Sequence, residues 1–233
     1  MAKLYSFTYN YFSEHPYIVE GVDGRCIIID PGFYGKDEKE EFMGFLEGHG
    51  LKPEAVLLTH GHVDHIWGVE HLLDSCPGLV IYMCAADRAE LEFGERVSKK
   101  LGLKAPGSSF AFTDATDGMV IKHAGLKFEV ITTPGHSIGS VCYLDRDGRA
   151  MFTGDTLFAG CIGRTDLHTG DYDKEIVSIM EKLMILDGDI KIYPGHGSPS
   201  TIAYERSHNP FLEPFNEPEE PEDPDLEGIT IHG

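Results

Sequence analysis

The chain has 233 residues, of which 41% are hydrophobic, 39 are acidic and 19 are basic, and its formal net charge is −20. This length is enough for one sizeable domain or two small ones that share a core. An acidic surface repels phosphate backbones, and no run of Lys or Arg offsets it. We therefore expect no nucleic-acid partner.

The cysteine pattern and the chain start indicate a compartment. The number of cysteines, five, is odd, and no pair has CxxC spacing, which favours a reducing environment over a disulfide framework. The first residues lack the basic and then apolar pattern of a signal peptide. No apolar run is long enough to cross a bilayer. We expect a cytoplasmic protein that does not bind a membrane.

The first half of the chain alternates strand and helix patterns. Strands are predicted at 7–20, 24–32, 54–59 and 79–84, and helices at 36–49, 65–74 and 85–101. The second half is richer in hairpins. Strands are predicted at 119–125, 126–132, 140–145, 149–155 and 189–197, and helices at 172–186 and 200–211.

Each half therefore supplies strands followed by helices. This order predicts an α+β fold, a four-layer αββα sandwich of two mixed sheets with helices outside. We predict a single domain over 1–216, with halves of about 1–115 and 116–216. Residues 217–227 hold seven acids, three prolines and no base. We expect 217–233 to form a disordered acidic tail, with a docking arm as the alternative.

Metal-ligand side chains crowd the segment 57–68, LLTHGHVDHIWG, directly after an apolar strand. His60 and His62 are two residues apart, so in extended backbone their side chains point the same way and can share one cation. Asp64 and His65 follow the turn and can point to a second position. Imidazoles combined with a carboxylate favour zinc, iron or manganese over calcium.

Three further side chains follow downstream strands in similar positions. His136 follows Thr-Thr-Pro-Gly, Asp155 follows Phe-Thr-Gly, and His196 follows Tyr-Pro-Gly. The ordered series HxHxDH, PGH, TGD, PGH resembles the metallo-β-lactamase-fold hydrolases over essentially all of 5–215. That resemblance implies one metal bound by His60, His62 and His136, and a second bound by Asp64, His65 and His196. It also implies that Asp155 bridges both metals.

The same resemblance suggests the cofactor and a supporting acid. Two divalent ions are expected, with zinc as the first choice and iron or manganese as alternatives. Asp30, in IIIDPG, resembles the family acid that fixes a ligand histidine through its other ring nitrogen. A turn-forming Asp-Pro-Gly is the alternative interpretation of Asp30.

Residues 154–166, GDTLFAGCIGRTD, resemble the segment after the bridging aspartate in type II glyoxalases, which hydrolyse S-2-hydroxyacylglutathione thioesters. Those enzymes place a cation here for the glutathione carboxylate, and Arg164 is the candidate. We expect the ordered chain to end near Phe215, without the C-terminal helical extension of the full-length glyoxalases, and Gly-Ser-Pro-Ser follows His196 in place of the tyrosine that the family's glutathione site uses there. We therefore predict a short glyoxalase II-like thioesterase with its natural thiol left open. A bridging hydroxide, oriented by Asp64, would attack the thioester carbonyl.

Other functions remain open at this point. A mononuclear-iron persulfide or sulfur dioxygenase of the same fold would leave Asp64, His65 and His196 without metal. A lactone or phosphodiester hydrolase would use the same two-metal site. A non-catalytic binding module would keep the fold without the chemistry. His168 has no partner motif, and we interpret it as structural.

Overall fold

Two six-stranded mixed sheets form the framework of the protein, as the computed structural model shows for residues 2–107 and 109–215. The predicted acidic tail at 217–233 lies outside the described residues. The first sheet has the order β1-β2-β3-β4-β5-β6, antiparallel from β1 to β3 and parallel from β3 to β6. Its strands are β1 (Lys3–Ser6), β2 (Tyr17–Glu20), β3 (Arg25–Ile29), β4 (Lys52–Leu57), β5 (Val80–Met83) and β6 (Thr113–Asp114).

The second sheet has the order β14-β13-β10-β9-β8-β7. Only β10 and β13 pair in parallel, and the other neighbours are antiparallel. Its strands are β7 (Val120–His123), β8 (Leu126–Thr132), β9 (Val141–Asp145), β10 (Ala150–Gly154), β13 (Lys191–Pro194) and β14 (Ser200–Thr201). A short hairpin of β11 (Leu157–Phe158) and β12 (Cys161–Ile162) follows β10.

The helices cover the outer faces of both sheets. They are α1 (Gly35–Gly48), α2 (Val63–Ile66), α3 (Val69–Ser75), α4 (Arg88–Leu101), α5 (Tyr172–Ser178) and α6 (Ile202–His208). None of the helices in the described part of the chain is long and apolar enough to cross a membrane.

Alternation along the strands builds three apolar layers. On β3, Ile27 and Ile29 point between the sheets, where they meet residues such as Phe128 of β8. The intervening Ile28 points outward and packs with Phe42 of α1. On the other side of the molecule, Leu144 and Met151 pack with Ile179, Leu183 and Ile202. Because successive strand residues face opposite sides, one strand serves two layers. The predicted αββα sandwich is confirmed.

The predicted strand at 7–20 was wrong in its first part. Only Tyr17–Glu20 belongs to a strand, and residues 7–16 form a loop closed by one bridge between Tyr9 and Glu14. Asn10 and Ser13 have φ values of 56° and 58°, which reverse the chain direction. The loop brings its tip towards the sheet edge that carries the candidate metal ligands.

Two predicted helices are also interrupted. The helix at 65–74 divides into α2 and α3 around Gly68, whose N–H donates to the carbonyl of Pro31 at 2.7 Å. A Cβ at Gly68 would lie 2.5 Å from that carbonyl oxygen, so the close approach requires glycine. The helix at 172–186 ends as α5 at Ser178 and continues as a wider π-helical turn over Ile179–Leu183.

Candidate metal centre

The candidate ligands follow the ends of β4, β8, β10 and β13, all at one edge of the sandwich. His60, His62, Asp64 and His65 lie in and after the turn that leads from β4 into α2. His136 follows β8, Asp155 follows β10 and His196 follows β13. The two sheets thus present their ligand-bearing turns to a shared cleft.

Three histidines form one half of the cluster. His60, His62 and His136 each offer a ring nitrogen, and these atoms lie within 4.8 Å of one another. Nδ1 of His62 is 2.9 Å from Nε2 of His136. A trio of imidazole nitrogens at this spacing matches one divalent cation of the zinc or iron type.

Asp64, His65 and His196 form the other half, with their ligand atoms again within 4.8 Å of one another. Asp155 lies between the two halves. Its Oδ2 is 3.5 Å from Nε2 of His136 and 3.5 Å from Nε2 of His196, and its Oδ1 is 3.4 Å from Nε2 of His65. A carboxylate in this position can contact two cations at once.

One ring nitrogen of each candidate ligand histidine contacts a neighbour outside the cluster, and the other points into the cluster. The outward nitrogens contact Thr59 Oγ1, Glu90 Oε2, Asp30 Oδ2, the Arg164 carbonyl and the Phe12 carbonyl. Outward N–H donation of this kind fixes the tautomer of a metal-binding imidazole and its ring orientation. The inward nitrogens therefore point into the cluster, where they could donate lone pairs to a cation.

Several inward atoms have no hydrogen-bond partner. Nε2 of His60, Nε2 of His65 and Oδ1 of Asp155 are buried and unpartnered. An unsatisfied buried polar atom costs about 1–3 kcal/mol, so three in contact need an explanation. Divalent cations would satisfy all three, and the His/Asp donor set fits zinc, iron or manganese. The residues present therefore fit a metal centre.

The two halves differ in electrostatics. Burial and the neighbouring imidazoles lower the pKa of His60 well below its ordinary value. Burial also lowers the pKa of His136, to about 4, although Asp155 opposes this. For His65 burial acts in the same direction, but the carboxylates of Asp155, Asp64 and Asp30 outweigh it and raise the pKa well above 6.5. The carboxylates around His65 thus outweigh its burial, whereas burial dominates at His60 and His136.

Asp30 lies directly behind the second half. Its Oδ1 accepts from the N–H of Thr59 at 2.8 Å, and its Oδ2 accepts from Thr59 Oγ1 at 2.6 Å and from Nδ1 of His65 at 3.0 Å. Asp30 also has a positive φ of 45°, as a residue in a turn can have. The Asp-Pro-Gly turn and the acid that contacts a histidine, which the sequence offered as alternatives, are therefore both present at Asp30. The fully buried Glu14 adds a second carboxylate 3.9 Å from the same His65 nitrogen.

Besides Glu14, two more acids near the site were missed by the sequence reasoning. Asp87 accepts from the N–H of Gly61 at 2.8 Å, from Ser137 Oγ at 2.8 Å and from the N–H of Gly139 at 2.5 Å. Gly61 separates two ligand histidines of the first sheet, and Ser137 directly follows His136 of the second. Asp87 thus joins the two ligand-bearing turns through one buried carboxylate.

Glu90 is the second of these two acids. It is fully buried, and its Oε2 lies 3.5 Å from Nε2 of His62. Its Oε1 accepts from Thr169 Oγ1 at 2.6 Å and lies 3.1 Å from Nδ1 of His168. Burial opposes ionisation, but these contacts lower the pKa of Glu90 to about 2. His168, which we had interpreted as structural, therefore contacts the acid that supports a candidate ligand.

Arg164 lines the cleft beside the cluster, but its charge is already engaged. Its Nε and Nη2 donate to the two carboxylate oxygens of Asp166 at 2.8 and 2.9 Å, and 63% of its side chain is exposed. Its backbone carbonyl, in contrast, holds His136. The predicted contact of the guanidinium with a substrate carboxylate stays a prediction.

Comparison with known proteins agrees with this architecture. The metallo-β-lactamase superfamily matches residues 11–196. The chain belongs to the metallo-β-lactamase superfamily. Members of this superfamily are generally hydrolases, and the His/Asp cluster is a site suited to divalent metals. The hydroxyacylglutathione hydrolase GloC of Haemophilus influenzae is 35% identical over 86% of this chain and 93% of that protein.

Two solved structures are also similar along nearly their whole lengths. The BLEG-1 B3 metallo-β-lactamase superimposes with a TM-score of 0.82 at 32% identity, over 90% of this chain and 99% of the other. TTHA1623, solved in a di-iron-bound form, superimposes with a TM-score of 0.79 at 34% identity, over 89% of this chain and all of the other. The identity of the metal therefore stays open.

Proposed function

We propose that the protein is a dinuclear metal-dependent hydrolase that cleaves thioesters. The observation that carries the proposal is the position of Asp155 between two trios of ligand atoms, with unpartnered inward nitrogens on His60 and His65. The relative GloC, named as a hydroxyacylglutathione hydrolase, supports the choice of a thioester.

The chemistry divides between the ions and the chain. When bound, two divalent ions supply a hydroxide near neutral pH and polarise a carbonyl oxygen. His60, His62 and His136 would hold one ion, Asp64, His65 and His196 the other, and Asp155 both. Asp64 also lines the cleft, where its carboxylate can accept a hydrogen bond from the attacking water and orient it.

The cleft also favours a good leaving group. Its titratable lining residues, apart from Arg164, are His62, Asp64, His136, Asp155 and His196, all of them proposed metal ligands. None is left over to protonate a leaving group. A thiolate departs near neutral pH without a proton because the parent thiol has a pKa of about 8.5, whereas an alkoxide does not. The lining therefore favours a thioester over an ester or lactone.

The proposal is tested with enzyme of measured metal content on matched substrates. Acyl thioesters, the corresponding oxygen esters, lactones and phosphodiesters are assayed in parallel. We expect two ions per chain and a kcat/KM for thioesters that exceeds that for the oxygen esters by about a hundredfold or more. Turnover of the oxygen esters at an equal rate would contradict the leaving-group argument.

The same preparations test the dioxygenase alternative. One iron per chain, with oxygen consumed on a thiol persulfide and no thioester cleaved, would replace the hydrolase proposal. A folded protein that binds no transition metal would return the chain to the class of binding modules.

A further inference from the structure

An apolar wall lies along one side of the cleft. The cleft has a volume of about 600 Å³, within the range of small-molecule sites. Phe93, Val97 and Leu101 line it from α4, and Ile162 and Leu167 line it as well. The three α4 residues are four positions apart, so they form one stripe along a single face of the helix.

This stripe is available to a ligand. Leu101 remains 58% exposed, and Phe12, which also lines the cleft, remains 47% exposed. Apolar side chains left in water beside a polar site gain free energy when a ligand covers them. Gly94 allows α4 to approach the ligand turn closely, since a Cβ there would lie 2.5 Å from Cγ1 of Val63. The apolar stripe therefore directly adjoins the ligand cluster.

The lining offers little to a charged substrate. Among the lining residues that the structure describes, Arg164 is the only Lys or Arg, and both oxygens of Asp166 already accept from its guanidinium. The guanidinium of Arg96 lies 5.6 Å from the ring centroid of Phe93 and is not part of the lining. A substrate carboxylate placed on this apolar wall, away from the proposed metal ions, would lose water without gaining an unpaired Lys or Arg, which is unfavourable.

We infer that the cleft selects substrates that carry an uncharged apolar chain beside the scissile carbonyl, and that Val97 and Leu101 of α4 bind this chain. The inference rests on the proposed thioesterase function and names its substrate class. The chain can belong to the acyl group or to the thiol, since either lies next to the carbonyl carbon. A thiol that carries carboxylates, such as glutathione, fits this lining less well.

Two thioester series test the inference with metal-loaded enzyme. The first joins acetyl to octanoyl groups to the uncharged thiol N-acetylcysteamine, and the second joins an acetyl group to straight-chain alkanethiols. We expect kcat/KM to rise about two- to fourfold per added methylene in at least one series. An ω-carboxylate on the longest chain should lower kcat/KM by about tenfold or more. Flat profiles in both series, or faster turnover of the carboxylate, would overturn the inference.

Matched variants show where the apolar chain of the substrate binds. Val97→Asn and Leu101→Asn should flatten the rise of kcat/KM with chain length. The same change at Val177, a half-exposed position on α5 away from the cleft, serves as the control and should keep the full dependence. Equal effects of Val97→Asn and Val177→Asn would exclude the α4 stripe as the binding surface.

A binding series separates this inference from the proposed function. Titration of metal-loaded protein with uncharged amides from butanamide to octanamide measures the affinity of the apolar wall for a chain in the absence of turnover. Affinity that rises with length, and falls in Leu101→Asn, supports the apolar site even if no thioester is cleaved. Cleavage of thioesters without any length dependence in turnover or binding would keep the hydrolase and overturn the apolar specificity.

Discussion

The first sheet supplies four candidate ligands from a single turn after β4, whereas the second supplies three from the ends of β8, β10 and β13. The first set keeps its spacing through a few residues of backbone. The second set depends on the pairing of β10 with β13 and of β8 with β9. The first set is a local motif, and the second exists only after its sheet has formed.

Hydrogen bonds between the two sheets position the two ligand sets relative to each other at this edge. Val141 donates its N–H to the carbonyl of Thr59 at 2.8 Å, and Tyr143 donates its hydroxyl to the carbonyl of Leu58 at 2.8 Å. Both acceptors directly precede His60. The second sheet therefore holds the end of the strand that carries the local motif, and the two ligand sets are positioned together.

Asp155 gives the sharpest test because it belongs to the second set and contacts both halves. Asp155→Asn keeps the shape but removes the charge that offsets two cations. We expect at least one ion to be lost and kcat to fall by about a thousandfold or more. Mass spectrometry of metal content and thioester turnover measure both. Asp145→Asn, at the opposite end of the same sheet, is the control. Full metal content with full activity would remove the bridging role.

Asp87 tests the connection between the two ligand turns. Asp87→Ala leaves the N–H groups of Gly61 and Gly139 without their acceptor. We expect metal affinity to weaken by about 10- to 100-fold and the free energy of unfolding to fall by about 2 kcal/mol. Chelator competition and urea denaturation measure these.

The control for Asp87 is Asp114→Ala, which removes an exposed carboxylate that accepts from the N–H of Ala85 at 2.8 Å in the same segment. Asp114→Ala should leave metal affinity unchanged. If Asp87→Ala and Asp114→Ala both lowered the free energy of unfolding and left metal affinity unchanged, Asp87 would support the fold and not the metal centre.

The sequence predicts the local motif and the strand-end positions for a physical reason. Ligands two to five residues apart must share one turn, and apolar strands of alternating pattern indicate where their ends lie. The αββα class follows from the same strands. The roles of His136, Asp155 and His196 as ligands came from the resemblance, and they remain predictions that the geometry accommodates.

Supporting acids other than Asp30 could not be predicted in the same way. Glu90 reaches His62 only because α4 crosses the ligand turn, a contact between residues 28 positions apart that no local pattern records. Likewise, no pattern shows that Asp166 occupies the guanidinium of Arg164. The loop at 7–16 depends on two positive φ values at Asn10 and Ser13, which composition alone does not indicate.

Glu90 tests how far the first ligand set depends on α4. Glu90→Gln removes the charge beside Nε2 of His62 while keeping the side-chain volume. We expect metal affinity to fall by about tenfold, less than for Asp87, because only one ligand loses its support. Glu92→Gln, an exposed position two residues along the same helix, should have no effect. Chelator competition compares the two, and unchanged affinity in both would mean that His62 is held by the turn alone.

Glu54 tests the connection between the sheets far from the metal centre. On β4 of the first sheet, it contacts Arg25 at 3.1 Å and accepts from the N–H of Ala124, in the β7–β8 turn of the second, at 2.5 Å. The Ala124 N–H is the main cause that lowers the pKa of Glu54 below 4.5, with Arg25 adding to it against partial burial. Ionised Glu54 therefore stabilises the fold fully above its ordinary pKa of 4.5. This contribution is lost as the pH falls through the lowered pKa that Glu54 has in the fold.

Glu54→Gln should lower the free energy of unfolding by about 1 kcal/mol at about pH 7, and the difference from the unchanged protein should narrow below about pH 4.5. Urea denaturation at several pH values measures it, with thioester turnover unchanged. Glu129→Gln breaks an ion pair with Arg146 inside the second sheet alone and should cost less. A difference that grows towards acid pH would mean that Glu54 is protonated in the fold, and the two sheets would then be joined here by neutral contacts only.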